Sequence, residues 1–457
     1  MKVAVIGGVA AGMSAASKIK RMDPQAEVTV YEKGGYLSYG ACGLPYYVGG
    51  FNDDYTKMIA RTREQFEKTG IKTHLHHEVL KVIPSEKQLL VRNHETGDIF
   101  IDSYDKLMIS TGASAVKPPI EGIDRKGVYQ LKTLEDGLRL KEIAADPQIR
   151  NVVVVGGGYI GIESVDAFLH LGKNVTCVEF ADRILMPFDR EISALAEKEL
   201  ISKGVSLRTS EKVVSIQGGQ SVSSVVTDKG QYPADLVVLS IGVRPATEFL
   251  RDTGIQMAPN GALIVDREMR TSIADIWAAG DCSLVYHKGL KENAFLALGT
   301  VANKCGRIAG ENIMGKHIKF TGALGSAAIK VCDLEMGRTG LGEAEAQRQA
   351  IDYSHSRGHG PSGVLSGPDA DNHKAYIRSR HKKAPWSADS RNKRRSDESR
   401  RIRSCNTQQH DHRRAWNDRP RIRTSFRGSV GCSPHSSKRS KIELKRRDFI
   451  EQADEHL

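Results

Sequence analysis

Two segments of this 457-residue chain follow one plan, and that repetition constrains the fold more than any other feature. Residues 2–32 and 151–179 each run apolar strand, glycine-rich turn, helix, second apolar strand and closing glutamate. In the second copy, Val152-Val-Val-Val-Gly156-Gly-Gly158-Tyr-Ile-Gly161 spells G-x-G-x-x-G directly after a strand and at the opening of a helix. Gly156 makes the tight turn, Gly158 lets backbone approach a diphosphate, and Gly161 lets helix and strand pack closely. Unpaired N–H groups at the helix start then face the anion. Glu179 ends the next strand at the distance expected of a ribose-binding acid. A carboxylate there repels a 2′-phosphate, so NADH is expected over NADPH, with NADPH use left open.

The first copy reads Gly7-Gly8-Val9-Ala10-Ala11-Gly12, with Val9 where a middle glycine is usual, and Glu32 closes its second strand. Two later segments carry the same style of turn. Leu107-Met-Ile-Ser-Thr111-Gly112-Ala is one, and Thr271-Ser-Ile-Ala-Asp-Ile-Trp-Ala-Ala-Gly280-Asp281 is the other. The latter puts a carboxylate at the C-terminal edge of a strand, where α/β proteins bind ligands. β-Branched runs at Val28–Tyr31, Val175–Val178 and Leu236–Ile241 alternate with amphipathic stretches. The fold class implied is α/β with parallel sheets.

Charge and cysteine usage exclude several classes. The net charge of +12 resides in residues 353–457, which hold 25 Lys/Arg against 12 Asp/Glu. The body before them is nearly neutral and carries no electrostatic footprint for nucleic acid. No apolar run reaches the ~18 residues of a membrane span. Val3–Ile6 is too short for a signal-peptide core, so a soluble, cytoplasmic protein is expected, without membrane partners. The seven cysteines are scattered and none forms a C-x-x-C pair, which argues against a disulfide framework or a zinc site. Cys177, Cys282, Cys305 and Cys332 lie in apolar or helical runs and read as small buried hydrophobes. Cys42 differs: it stands among glycines in Leu37-Ser-Tyr-Gly-Ala-Cys42-Gly-Leu-Pro-Tyr-Tyr47, after the second strand of the first unit. A lone cysteine there can hold a mixed disulfide or a sulfenic acid, and a helix start would favour its thiolate.

The order of these motifs resembles the two-dinucleotide flavoprotein disulfide reductases, over residues 1 to about 352. The resemblance implies a Rossmann-like FAD domain from residues 1–116 and 244–318, split around an NAD(P)H domain at 117–243. Residues 319–352 would open an α+β dimerisation domain. Gly7, Gly8, Gly12, Glu32, Thr111, Gly112, Gly280 and Asp281 would contact FAD. Gly156, Gly158, Gly161 and Glu179 would contact the nicotinamide cofactor. Tyr159 would gate nicotinamide access to the flavin face. Glu163 would place charge beneath the flavin, or is a solvated helix glutamate.

The stretch Cys42-Gly-Leu-Pro-Tyr-Tyr47 is similar to the coenzyme A-disulfide reductase branch. Neighbouring NADH oxidases and peroxidases use one cysteine as a sulfenic acid, and typically carry a histidine where this chain has Ala10. Without the imidazole, peroxide chemistry loses an acid–base group. Ser14, Lys18 and Arg21 fall at i, i+4 and i+7 on one face of the first helix, a pattern that suits a phosphorylated nucleotide tail or, more plainly, a solvated face. In the coenzyme A reductases the matching positions, with those of Ser38 and Asn303, contact the substrate. The resemblance therefore implies FAD, NADH and coenzyme A disulfide or a persulfide as cofactors and substrate, with Cys42 catalytic. The alternatives are an NADH oxidase and an inactive flavin-binding remnant.

Beyond Tyr353 the periodicity stops, and Arg, Ser and His dominate, a composition expected to be disordered. Thr407 to Phe426 reads TQQHDHRRAWNDRPRIRTSF. Synonymous codons for it, read one base later, spell HNNMTTEELGMTDLVYAPPF, which carries the Tyr-Ala-Pro-Pro-Phe segment typical of this family's interface domain. The tail is therefore read as translated out of frame, and the family's homodimer is in doubt for this chain. The alternative is a basic arm that binds nucleic acid nonspecifically.

Overall fold

The computed structural model describes residues 1–348 and, as backbone, His373–Ser379. The duplicated plan folds twice. Lys2–Ile6 (β1), Ala10–Met22 (α1) and Glu27–Tyr31 (β2) form the first unit, followed by the short helix Leu44–Val48 (α2) and strands Ile71–His74 (β3) and Lys106–Ile109 (β4). Val128–Gln130 (β5) and Leu134–Ala144 (α3) lead into the second unit, Asn151–Val155 (β6), Tyr159–His170 (α4) and Asn174–Val178 (β7). Arg190–Ser202 (α5), Ser206–Arg208 (β8) and Leu236–Leu239 (β9) follow, then Ile276–Ala278 (β10) and Gly299–Ile313 (α6).

Five parallel strands in the order β10-β4-β1-β2-β3 make the first sheet, and five more in the order β8-β7-β6-β9-β5 make the second. β-Branched residues meet across both central pairs, Val3 with Val28 and Val152 with Val175. Such side chains pack well on a pleated surface covered from both sides. The core of the first sheet draws Val3, Val28 and Leu107 together with Leu263, Trp277 and Cys305, so the chain leaves this sheet, builds the second and returns.

α1 packs on α6 with almost no space between backbones. A Cβ on Gly306 would stand 2.3 Å from the Ala11 carbonyl oxygen, and one on Gly310 would stand 2.7 Å from that of Ala15. Polar contacts flank the seam: Ser14 Oγ donates to Asn303 Oδ1 at 2.8 Å, and Lys18 pairs with Glu311.

Residues after α6 continue the ordered body. Ala327–Val331 (β11) and Leu334–Gly340 (β12) form an antiparallel hairpin, followed by Glu343–Arg348 (α7). Ile329, Val331 and Met336 are buried in one core with Ile162 and Val165 of α4 and Leu200 of α5. Lys330 Nζ pairs with Asp166 at 3.0 Å, and Asp333 bridges to Lys203 at 2.6 Å. The basic tail, whose composition is expected to be disordered, contributes one described strand. His373–Ser379 (β13) pairs antiparallel with β12, from Gly340 opposite His373 to Leu334 opposite Ser379. A ladder is made by main-chain groups, which every non-proline residue supplies whatever its side chain. The remainder of the 353–457 tail lies outside the described residues. Among the described residues no helix is long and apolar enough to cross a membrane, and no cluster of His, Cys, Asp and Glu could hold a metal ion.

Gly306→Ala should therefore overpack the α1–α6 seam and cost about 1–3 kcal/mol. Urea denaturation followed by circular dichroism should show a lower midpoint with an unchanged m-value.

Candidate active site

The two glycine turns have the same geometry. Gly7 and Gly156 adopt φ of +96° and +107°. Side chains there would sit 2.2 Å from the Ser110 oxygen and 2.4 Å from the Ser240 oxygen. A Cβ on Gly12 or Gly161 would lie 1.9 Å from the carbonyl oxygen of Gly7 or Gly156. A carboxylate clamps each turn from the end of the second strand. Glu32 accepts from Gly8 N–H at 2.7 Å and Gly34 N–H at 2.8 Å. Glu179 accepts from Gly157 N–H at 2.5 Å and Ala181 N–H at 2.7 Å. Burial raises the Glu32 carboxyl above the usual carboxylate range, against the lowering effect of its backbone donors.

Both turns fit a diphosphate dinucleotide. α1 and α4 begin with no side-chain cap and no acid in the first turn, whereas α3 has a complete Thr133–Asp136 capping box. The helix-start N–H groups of α1 and α4 are thus left for an anion. A Cβ built on Gly158 or Gly112 meets nothing within 4 Å. Thr111 Oγ1 and Ser240 Oγ are buried with no nitrogen or oxygen partner, and buried hydroxyls normally have one. FAD suits the first unit, where Gly280 and Asp281 follow β10 beside α1. A Cβ on Gly280 would touch that of Ala11 at 3.2 Å. Lys132 Nζ reaches Asp281 Oδ2 at 3.3 Å. Lys132 belongs to no sequence motif, and only the fold brings it to a carboxylate 149 positions away.

Cys42 stands in a single 3₁₀ turn, Ala41–Gly43, that runs directly into α2. It is exposed, whereas Cys177, Cys282, Cys305 and Cys332 are buried. Burial pushes those four thiols up, to about 12, 11, 12 and 12, which keeps them protonated and inert. α2 is wedged between units: Leu44, Tyr47 and Val48 share a core with Leu134 and Leu140 of α3 and Ile162 and Phe168 of α4. Lys141 fastens its far end, bonding the Tyr47 carbonyl at 3.1 Å and Asp53 at 2.9 Å. The cysteine is therefore mounted on a rigid element where the two nucleotide units meet.

Tyr159 opens α4 and packs its ring against Phe188 at 6.0 Å. Glu163, one turn on, is buried and accepts from the Tyr46 hydroxyl at 3.3 Å. Of its two sequence readings, the solvated glutamate is overturned, because α4 is covered on that side by α2.

The expected substrate positions divide. Ser14 and Asn303 are brought together by their mutual hydrogen bond. Lys18 is neutralised by Glu311, so it is a weaker phosphate partner than its spacing implies. Arg21 is exposed and bonds the Ser17 carbonyl at 3.1 Å. Ser38, at φ +49°, bonds Gly8 O through its N–H and receives Ala60 N–H on its carbonyl. That ladder delivers Arg61, whose guanidinium reaches Ser17 Oγ at 3.4 Å beside Arg21. Nothing in the linear spacing signals Arg61, because a fold-dependent bridge between Tyr39 and Ile59 places it.

The glycine geometry separates two variants. Gly161→Ala should unfold the second unit's turn and lower the melting temperature by several degrees, whereas Gly158→Ala should leave stability intact and weaken nicotinamide binding about tenfold. Melting curves and NAD⁺ titrations check both. Glu179→Ala should reduce the preference for NADH over NADPH by about tenfold or more, equal to about 1.4 kcal/mol per decade, read as the ratio of kcat/KM values.

Comparison with known proteins agrees with this geometry. The family profile of pyridine nucleotide-disulphide oxidoreductases matches residues 1–303. An NAD(P)H coenzyme A polysulfide/persulfide reductase of Pyrococcus horikoshii is 39% identical over 352 residues, covering 77% of this chain and 78% of that protein. An NADH oxidase of Enterococcus faecalis is 36% identical, covering 77% and 79%. The solved structure of an NAD-dependent persulfide reductase from A. fulgidus superposes with a TM-score of 0.77 at 34% identity, covering 83% of this chain and 74% of that one. With two dinucleotide turns of matching geometry, uncapped helix starts and these relatives, the chain belongs to the pyridine nucleotide-disulphide oxidoreductases and is an FAD-dependent enzyme that takes electrons from NAD(P)H.

Proposed function

We propose that this enzyme reduces coenzyme A disulfide, or a coenzyme A persulfide, in the cytoplasm, with Cys42 as its redox-active residue. The observation that carries the reading is the contrast, among the described residues, between one exposed cysteine in the turn that runs into α2 and four buried, inert ones. Gly7, Gly8, Gly12, Glu32, Thr111, Gly112, Gly280 and Asp281 would hold FAD, and Gly156, Gly158, Gly161 and Glu179 the nicotinamide nucleotide. Bound FAD would supply the two-electron transfer between nicotinamide and sulfur. Arg21 and Arg61, with Ser14, Ser38 and Asn303, offer donors to the phosphorylated tail of the substrate.

The Cys42 thiolate attacks one sulfur of the disulfide. A bond forms between Cys42 and that sulfur, the original S–S bond breaks, and one coenzyme A thiolate leaves. Two electrons from NADH then cleave the mixed disulfide, releasing the second coenzyme A thiolate and returning Cys42 to its thiolate. One proton from NADH and one from solvent complete two thiols per NADH consumed. Ala10, where the oxidases typically carry histidine, favours this over peroxide chemistry.

Assembly follows the same reading. Residues 1–116 and 244–318 would act as the FAD domain, 117–243 as the nicotinamide domain, and 319–352 as the opening of a dimerisation domain that the reading frame then abandons. A corrected frame would supply apolar surface that the Arg/Ser-rich tail lacks.

Cys42→Ser should lose disulfide turnover by roughly a thousandfold or more, while its flavin is still bleached by NADH in a stopped-flow trace. Undiminished turnover would remove Cys42 from the mechanism. Restoring the frame near codon 353 should yield a dimer burying more than about 2,000 Å², whereas the chain with its present tail should run as a monomer or aggregate in size-exclusion with light scattering. A fully active dimer from the present chain would refute the frame reading.

A further inference from the structure

Helix α3 follows β5, an edge strand of the second sheet, yet its contacts face the first unit. Its N-terminal end is fixed beside the candidate FAD residues. Lys132 Nζ reaches Asp281 Oδ2 at 3.3 Å, and Glu135 Oε1 accepts Gly35 N–H at 2.7 Å in the loop that follows Glu32. Further along, Leu134, Gly137 and Lys141 recur at i, i+3 and i+7, which makes one stripe on a helix. That stripe meets α2. A Cβ on Gly137 would stand 2.7 Å from Leu44 Cδ2, and Leu44 is buried, so a glycine is what lets α2 lie this close. Lys141 closes the far end. Its Nζ bonds the Tyr47 carbonyl at 3.1 Å, the Asn52 carbonyl at 3.4 Å and Asp53 Oδ1 at 2.9 Å, and stands 4.4 Å from the centre of the Tyr47 ring. The last turn of α2 and the loop after it are thus gathered around one ammonium.

We propose that Lys141 is a positioning residue for Cys42. α3 acts as a strut, fixed at one end beside the FAD residues and holding α2 at the other, so Lys141 sets where the cysteine stands relative to the flavin site. The inference rests on the readings of Cys42 as the redox-active residue and of Asp281 as an FAD contact. A helix rises about 1.5 Å per residue, so Glu135 and Lys141 lie about 9 Å apart along one stiff rod. α2, by contrast, has five residues and no side-chain cap, and takes its order from what it is held against. Cys42 stands in the turn Ala41–Gly43 that leads directly into it. Loss of the Lys141 contacts therefore leaves those of Lys132 and Glu135 in place and frees the element that carries the sulfur. Two reactions of Cys42 then respond differently. Attack on a small reagent from solution needs access alone. Electron exchange with a bound flavin needs position, and a misplacement of about 1 Å can cost about a hundredfold in rate. Asp53 is a minor part of the hold, because its side chain is 79% exposed and ion pairs in water contribute little.

The test is a single turnover of the FAD-loaded full-length chain without oxygen. The protein is treated with coenzyme A disulfide, freed of excess reagent and mixed with one equivalent of NADH in a stopped-flow instrument. Bleaching of the flavin reports electrons arriving from NADH, and the return of its colour reports their passage to the Cys42 disulfide. Lys141→Met should slow the return of colour about tenfold and leave bleaching unchanged. Lys141→Arg, which keeps the cation and its donors, should stay within about threefold of the parent, and Asp53→Asn within about twofold. Alkylation of Cys42 by iodoacetamide, read by mass spectrometry, should be no slower in Lys141→Met than in the parent. Melting curves and flavin absorbance establish that each variant is folded and loaded. An unchanged return of colour in Lys141→Met, or a slowing matched in bleaching or in alkylation, overturns the strut. Cys42→Ser separates the two levels. If colour returns no faster in the parent than in Cys42→Ser, the reading of Cys42 fails and the strut with it. If the return depends on Cys42 and not on Lys141, the strut alone fails.

Discussion

Everything in this molecule depends on a missing carbon atom at two equivalent places. At Gly12 and Gly161 a Cβ would lie 1.9 Å from the carbonyl oxygen of the first glycine in the same turn. That approach is possible only without a side chain, and it aims each following helix at the end of its own first strand. Once α1 and α4 are aimed, their unpaired N–H groups converge on the C-terminal edges of the two sheets. Glu32 and Glu179 can then each bond the middle of its turn from the end of the next strand. The same economy recurs where α1 meets α6, with Gly306 and Gly310 against the Ala11 and Ala15 carbonyls. Close backbone packing is what permits the returning chain to complete the first sheet.

The exposed cysteine is placed by a second constraint, the wedging of α2. This helix has only five residues and no side-chain cap, so it cannot be stable by propensity alone. It persists because Leu44, Tyr47 and Val48 are buried against α3 and α4, and because Lys141 binds the Tyr47 carbonyl. Cys42 gains a fixed position from that burial while the residue itself stays exposed. The four other described cysteines show the opposite outcome, with burial raising each thiol until it is chemically silent.

The hairpin β11–β12 packs onto the second unit. Lys330 pairs with Asp166 of α4, and Asp333 with Lys203 just beyond α5. These two ion pairs and a shared apolar core give it a defined seat on the second unit.

The linear sequence by itself determined the local machinery. Gly7, Gly12, Gly156 and Gly161 were legible because the steric demand of a tight turn is met within a few residues, and only glycine meets it. Glu32 and Glu179 were legible because a strand, a turn, a helix and a strand have fixed lengths. Cys42 stood out because it falls among glycines after the second strand, whereas Cys177, Cys282, Cys305 and Cys332 lie in apolar or helical runs. What the tertiary structure alone decided are contacts between segments far apart in the chain. Glu311 neutralises Lys18, Lys132 meets Asp281, Arg61 arrives beside Arg21, and Lys330 pairs with Asp166. None of these follows from spacing, because each depends on how one rigid unit is seated against another, and that seating is fixed by buried surface contributed from many separate segments.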